Sequence, residues 1–200
     1  MARLEVITGP MFSGKSEELI RRLNRAIYAE QNVLVVKPKI DTRNEGKIAS
    51  RKKKDKKDVK FEEFDSFPAH EISTSKEFVE LVSQHKPDVL AIDEAQFFQE
   101  WLLELIDELL DKEEHTNFKI IVSGLDMDAW RKPFGIMPQL MASANEVIKF
   151  SAVCFHCKKN DANLTYKKSG SREQVEVGNF EKYEARCRAC HELPTDQNPA

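Results

Sequence analysis

A chain of 200 residues can bury one ordinary core, plus at most a small appended module that needs its own means of stabilisation. With 40% hydrophobic and 32% charged residues and a net charge of -3, the composition excludes a disordered chain and argues against wholesale nucleic-acid binding. No apolar run is long enough to cross a bilayer, and the first apolar run begins at Leu4, which leaves no room for a cleavable signal; the expected compartment is the cytoplasm.

Residues 4–8 form a β-favouring run that stops at Gly9. From Lys15 to about Gln31 the apolar positions Leu19, Ile20, Leu23, Ala26 and Ile27 recur at helical spacing, and Asn32 ends that helix. Val33, Leu34, Val35 and Val36 then make an unbroken apolar run, as a parallel strand covered on both faces requires. Between Asp41 and Lys60 the apolar content collapses, and KIASRKKKDKKDVK sets eight basic residues against two aspartates, which reads as a mobile loop. A capped helix is expected over residues 75–85, with Phe78, Val79, Leu81 and Val82 facing inward and Pro87 beyond its end. A strand over 89–92, an amphipathic helix over 97–110 and a strand over 119–122 follow, after which the alternation ceases. Past Phe150 the composition shifts to Cys, Lys, Asn and Gly. The expected organisation is therefore a nucleotide-binding core over 1–150, a small module over 151–193 and a disordered tail over 194–200.

Residues 9–16 read GPMFSGKS, a complete GxxxxGK[ST] pattern placed after a strand and at the start of a helix. Gly9, Pro10, Met11, Phe12, Ser13 and Gly14 form the loop. Its amides, and the unpaired N–H groups of the helix's first turn, suit a triphosphate. Lys15 is placed to neutralise the β and γ phosphates and Ser16 to ligate the Mg²⁺ that accompanies ATP. The segment VLAIDEAQFF puts Asp93 at the C-terminal edge of a strand, the edge where open parallel sheets bind ligands. Asp93 is a candidate Mg²⁺ holder and Glu94 a candidate base, with an alcohol or water as acceptor.

Cys154, Cys157, Cys187 and Cys190 form two CxxC pairs, a spacing that points to a closed tetrahedral Zn²⁺ site with a structural role. His156 and His191 adjoin them and offer a set of three cysteines and one histidine as an alternative. The stretch between the pairs, which contains Gly170, Gly178 and Tyr183, could be a lid over a ligand, an inert ribbon or an oligomer contact.

Taken in order, GPMFSGKS, DTR at 41–43, DEAQFF at 93–98, GLDMDAWRKPFG at 124–135 and the two cysteine pairs resemble the zinc-containing type II thymidine kinase family. The resemblance implies an α/β fold: a RecA-like P-loop core with a mostly parallel sheet, joined to a zinc-anchored lasso and assembled as a homotetramer. It further implies ATP and thymidine as substrates, feedback inhibition by dTTP, and no nucleic-acid or membrane partner. Carried over by position, Glu94 is the base for the 5′ hydroxyl, and Phe97 and Phe134 line the thymine pocket. Tyr183 closes the lasso, and Asp41 and Arg43 act near the reacting phosphates. Three positions depart from the family pattern. Ala129 stands where the family carries an aromatic, with Trp130 one residue later, so that either the pocket wall is rebuilt or the indole takes its place. Arg51 replaces a histidine, and Asn179 replaces a glycine.

Overall fold

The computed structural model describes residues 1–53, 61–112, 117–168, 174, 178 and 180–194, with the side chains of 51–53 and 61–64 excepted. A parallel sheet of six strands organises them, in the order β5-β2-β6-β7-β1-β8. These strands are β1 (Arg3–Thr8), β2 (Val33–Pro38), β5 (His70–Ile72), β6 (Val89–Ile92), β7 (Lys119–Gly124) and β8 (Glu146–Lys149). Every pairing within the sheet is parallel, so "mostly parallel" sharpens to wholly parallel. The strand that opens the phosphate loop, β1, is separated from the strand that ends at Asp93, β6, by β7.

Alternate residues of the strands feed two cores, as a sheet covered on both faces demands. Leu4, Val6, Leu34, Leu90 and Ile120 pack with Phe78 of α2 (Ser75–His85), Leu102 and Ile106 of α3 (Trp101–Asp111) and Leu140 of α4 (Met137–Ser143). On the opposite face Ile7, Val35, Ala91 and Ile121 meet Leu19, Ile20 and Leu23 of α1 (Lys15–Tyr28). Arg22 of α1 also pairs with Glu5 of β1, and with Glu146 of β8 at 3.1 Å, tying that helix to the sheet.

Several expectations need correction. The segment read as a mobile loop forms β3 (Lys47–Lys53), which pairs antiparallel with β4 (Phe61–Pro68). Ile48 is buried against α1 and Phe67 of β4 packs on the same cluster, which seats a hairpin whose basic letters look like coil. Residues 54–60 of the basic run lie outside the described residues. Helix α1 ends at Tyr28 rather than near Gln31, because Glu30 turns to φ 56°. Ile27 stays half exposed, and so does Val79 of α2. The start and end of α2 are as expected, with Thr74 and Glu77 forming a reciprocal capping box. No single helix runs from Phe97: residues Ala95–Phe97 make one 3-10 turn, Phe98 is extended, and α3 begins at Trp101. That break buries Phe98 in the core while releasing Phe97 toward the site. The alternation also continues past β7, through α4 and β8. Strand β8 escaped notice because it sits at the sheet edge and is half exposed, without the continuous apolar run of an inner strand.

Beyond the sheet, β9 (Ala152–Val153) pairs with β10 (Asp161–Ala162), and β11 (Leu164–Lys167) with β12 (Tyr183–Arg186), both antiparallel. The expected tail falls almost wholly outside the described residues, which end at Pro194. Among the described residues no helix is long and apolar enough to cross a membrane.

Candidate active site

The phosphate loop leaves β1 through Gly9, whose φ of 136° suits glycine alone and where a Cβ would come within 2.4 Å of the Phe150 carbonyl oxygen. Two side chains brace the loop from within: the Ser13 hydroxyl and the Lys15 ammonium both donate to the Pro10 carbonyl, at 2.8 and 2.7 Å. Lys15 is buried. Burial pulls its pKa down to about 8, against the opposing pull of the Glu94 and Asp93 carboxylates. The Met11 N–H donates to Thr165 Oγ1 of β11 at 3.1 Å, and the ring of Phe12 stacks on Phe180 with centroids 3.6 Å apart. The loop is thereby held from outside by the chain that follows the sheet.

Asp93 ends β6 at the same sheet edge. Burial pushes its pKa up to about 7, the neighbouring Glu94 charge adds to the rise, and a hydrogen bond with Ser123 opposes it. Glu94 itself adopts φ 52°, a conformation uncommon for this residue type and of the kind that clusters at functional sites. Its carboxylate is held from two sides, by Arg43 Nη2 on Oε1 and Gln96 Nε2 on Oε2, each at 2.5 Å. Gln96 is fixed in turn, because its Oε1 accepts from the Leu125 N–H at 3.0 Å. Arg43 also donates from Nε to Asp41 Oδ1 at 2.6 Å. Burial would lower the Arg43 pKa, but Glu94 and Asp41 more than offset it and the guanidinium is held further above its ordinary value. Asp41 is likewise pulled down despite its burial, through Arg43 and Lys37.

Two clefts adjoin here. The first runs along Phe12, Gly14, Lys15 and Ser16 and is walled by Asp93, Phe180 and Ser50, whose buried hydroxyl has no partner among the described residues. The second is lined by Phe97, Phe134, Tyr183, Ala129, Thr165 and Gln174. Met11, Arg43, Glu94 and Leu125 line both. Phe97 and Phe134 meet edge to face at 5.7 Å, and Gly135 allows that approach: a Cβ there would lie 2.3 Å from the Gln96 carbonyl oxygen. The loop after β7 is organised by Asp128, whose Oδ1 accepts the N–H groups of Trp130 and Lys132, both at 2.9 Å. Its Oδ2 accepts from Gln174 at 2.7 Å. Ala129 lines the second cleft, and Trp130 is not among its lining residues.

The Sγ atoms of Cys154, Cys157, Cys187 and Cys190 all lie within 4.8 Å of one another, a donor set and spacing that fit a tetrahedral metal ion. Burial raises the Cys154 thiol, but backbone N–H groups of Cys157, Cys187 and His156 outweigh it and bring the pKa to about 6, which favours the thiolate. The histidine alternative fails for His191. Its Nδ1 faces Arg131 Nε at 3.2 Å and its Nε2 meets the Thr165 carbonyl at 3.1 Å, so both ring nitrogens are engaged elsewhere.

The family model described as thymidine kinase matches residues 2–191. This chain belongs to the thymidine kinase family. It is 42% identical over 191 residues to the thymidine kinase of Mesomycoplasma hyopneumoniae strain 7448, covering 95% of each chain. The thymidine kinase of Mycoplasma mobile is 41% identical over 94% of this chain and 86% of its own length, and that of Metamycoplasma arthritidis 40% identical over 94% and 89%. A crystal structure of a DNA replication initiation factor aligns at a TM-score of 0.39 and 11% identity, over 74% of this chain and 40% of that one, too remote to inform the site.

Within this thymidine kinase family member, residues 11–16 of the phosphate loop, Asp41, Arg43, Asp93 and Glu94 line the first cleft or its junction, Phe97, Phe134 and Tyr183 line the second, and the four cysteines form a cluster of their own. Arg51 has no described side chain, and Asn179 and Gly170 lie outside the described residues. Gln96, Thr165 and Lys37 were not singled out. A polar residue two places after Glu94 carries no signal in the sequence, and Lys37 reads simply as the end of a strand.

Proposed function

We propose that the chain transfers the γ-phosphoryl group of ATP to the 5′ hydroxyl of thymidine, and of deoxyuridine, giving the 5′-monophosphate for deoxynucleoside salvage. The observation that carries this reading is the junction at which a phosphate-loop cleft and an aromatic cleft share Glu94 and Arg43. ATP lies along the first cleft, with its β and γ phosphates against Lys15. Ser16 and Asp93 are the residues that would hold Mg²⁺, which when bound would neutralise phosphate charge. Thymine sits between Phe97, Phe134 and Tyr183, and its sugar points the 5′ hydroxyl at Glu94.

Glu94 takes the hydroxyl proton as the 5′ oxygen bonds to the γ phosphorus and the bond to the β-phosphate oxygen breaks, leaving ADP. Arg43 stabilises the charge on the equatorial oxygens. The four cysteines hold a structural Zn²⁺ that anchors residues 151–193 as a lasso on the core of residues 1–150. The same reading includes a cytoplasmic homotetramer inhibited by dTTP.

The test is a panel of the four deoxynucleosides and deoxyuridine, each incubated with labelled ATP and Mg²⁺, with the products separated. Monophosphate from thymidine and deoxyuridine, with little from deoxycytidine and the purine nucleosides, is expected. ATP consumption without any nucleoside monophosphate would overturn the proposal.

A further inference from the structure

Lys37, at the C-terminal end of β2, is the most deeply buried lysine among the described residues, with 1% of its surface exposed. A buried ammonium is costly unless it is paired and hydrogen-bonded. Its partners all belong to, or hold, the segment that carries Arg43. Lys37 Nζ lies 3.2 Å from Asp41 Oδ2 and donates to the Asn44 carbonyl at 2.7 Å. Glu71 Oε1 is 4.0 Å away and accepts the Gly46 N–H at 2.9 Å. One charge therefore fixes the beginning, the middle and, through Glu71, the end of residues 41–46.

From Asp41 the chain of contacts continues. Asp41 Oδ1 accepts from Arg43 Nε at 2.6 Å, and Arg43 Nη2 meets Glu94 Oε1 at 2.5 Å. The two oxygens of Asp41 face opposite ways, one to the buried lysine and one to the site arginine. A carboxylate so clamped presents the guanidinium in one orientation, with Nη2 directed at the shared junction of the clefts.

We infer that Lys37 is a positioning residue for phosphoryl transfer: its buried ammonium fixes Asp41, and through Asp41 aims Arg43 at the reacting group beside Glu94. Lys37 lines neither cleft, so it acts through Asp41 and, beyond it, Arg43. The inference rests on the kinase reading above.

A double-mutant cycle tests it, with rates of thymidine monophosphate formation as the readout. Lys37→Met should lower kcat by about 10- to 100-fold, the range common for residues that orient a functional group. KM for thymidine and for MgATP should change by less than about threefold, because uniform binding is untouched. In an Arg43→Ala background the same substitution should cost less than about threefold, since nothing remains to be aimed. Lys37→Arg, which keeps a buried cation, should restore most of the lost rate. Should Lys37→Met fail to fold, Lys37→Gln carries the same cycle with a donor retained. An equal fractional loss with and without Arg43, or an unchanged kcat, would assign Lys37 to fold maintenance and overturn the inference while the kinase reading stands. Absence of thymidine monophosphate from the wild-type protein would overturn both.

Discussion

Asp93 shows how a single residue can be tuned against its own ionisation. It is buried at the end of a strand with Glu94 beside it, and both effects favour the neutral acid, so its pKa rises to about 7. Because the folded value lies above that of the unfolded chain, the native state binds more protons between about pH 4 and pH 7. In the absence of nucleotide, stability must fall as pH rises through that window. Asp93→Asn removes the titration. Urea unfolding at several pH values should therefore show the wild type losing stability relative to Asp93→Asn between pH 4.5 and 7.5, and parallel curves would contradict it. A cation held at Asp93 would reverse the balance.

At the scale of elements, the decisive packing is between the phosphate loop and the chain that follows the sheet. Phe180 stacks on Phe12 and approaches Phe155 at 5.7 Å, while Thr165 of β11 accepts the Met11 N–H. On the proposed reading, the grip of the first cleft on MgATP depends on these contacts. A stacked aromatic pair contributes about 0.5–1.5 kcal/mol, so Phe180→Ala should raise KM for MgATP by about 2- to 12-fold in initial-rate measurements. An unchanged KM would separate the two elements. Much of this scale was legible in the sequence: the unbroken apolar runs marked the inner strands, and the helical spacing of Phe78, Val79, Leu81 and Val82 before Pro87 marked α2. The hairpin of β3 and β4 was not, because eight basic residues mask the buried Ile48, and edge strand β8 shows no inner-strand pattern. The stack of Phe12 on Phe180 joins residues far apart in sequence, and no local pattern carries that information.

At the scale of the whole molecule, the parallel sheet gathers four chain segments at one edge. The loop after β1 supplies Lys15, that after β2 supplies Arg43, that after β6 supplies Asp93 and Glu94, and that after β7 supplies Leu125 and the walls of the second cleft. Open α/β sheets place their ligands in this way, beyond the carboxyl ends of the strands. The residues that could be named in advance are those whose spacing repeats a chemical requirement, such as the phosphate loop, the acid pair and the cysteines. Those that had to be seen, Lys37 and Gln96, act on other side chains rather than on a ligand.

On the kinase reading the two clefts form one site with Glu94 as its proton acceptor, and Glu94→Gln in rapid-quench single turnovers, alongside equilibrium binding of MgATP, tests this most directly. MgATP affinity should stay within about threefold of wild type while thymidine monophosphate formation slows by about 10²- to 10⁴-fold, the contribution of a positioned base. Full-rate transfer by Glu94→Gln would contradict it.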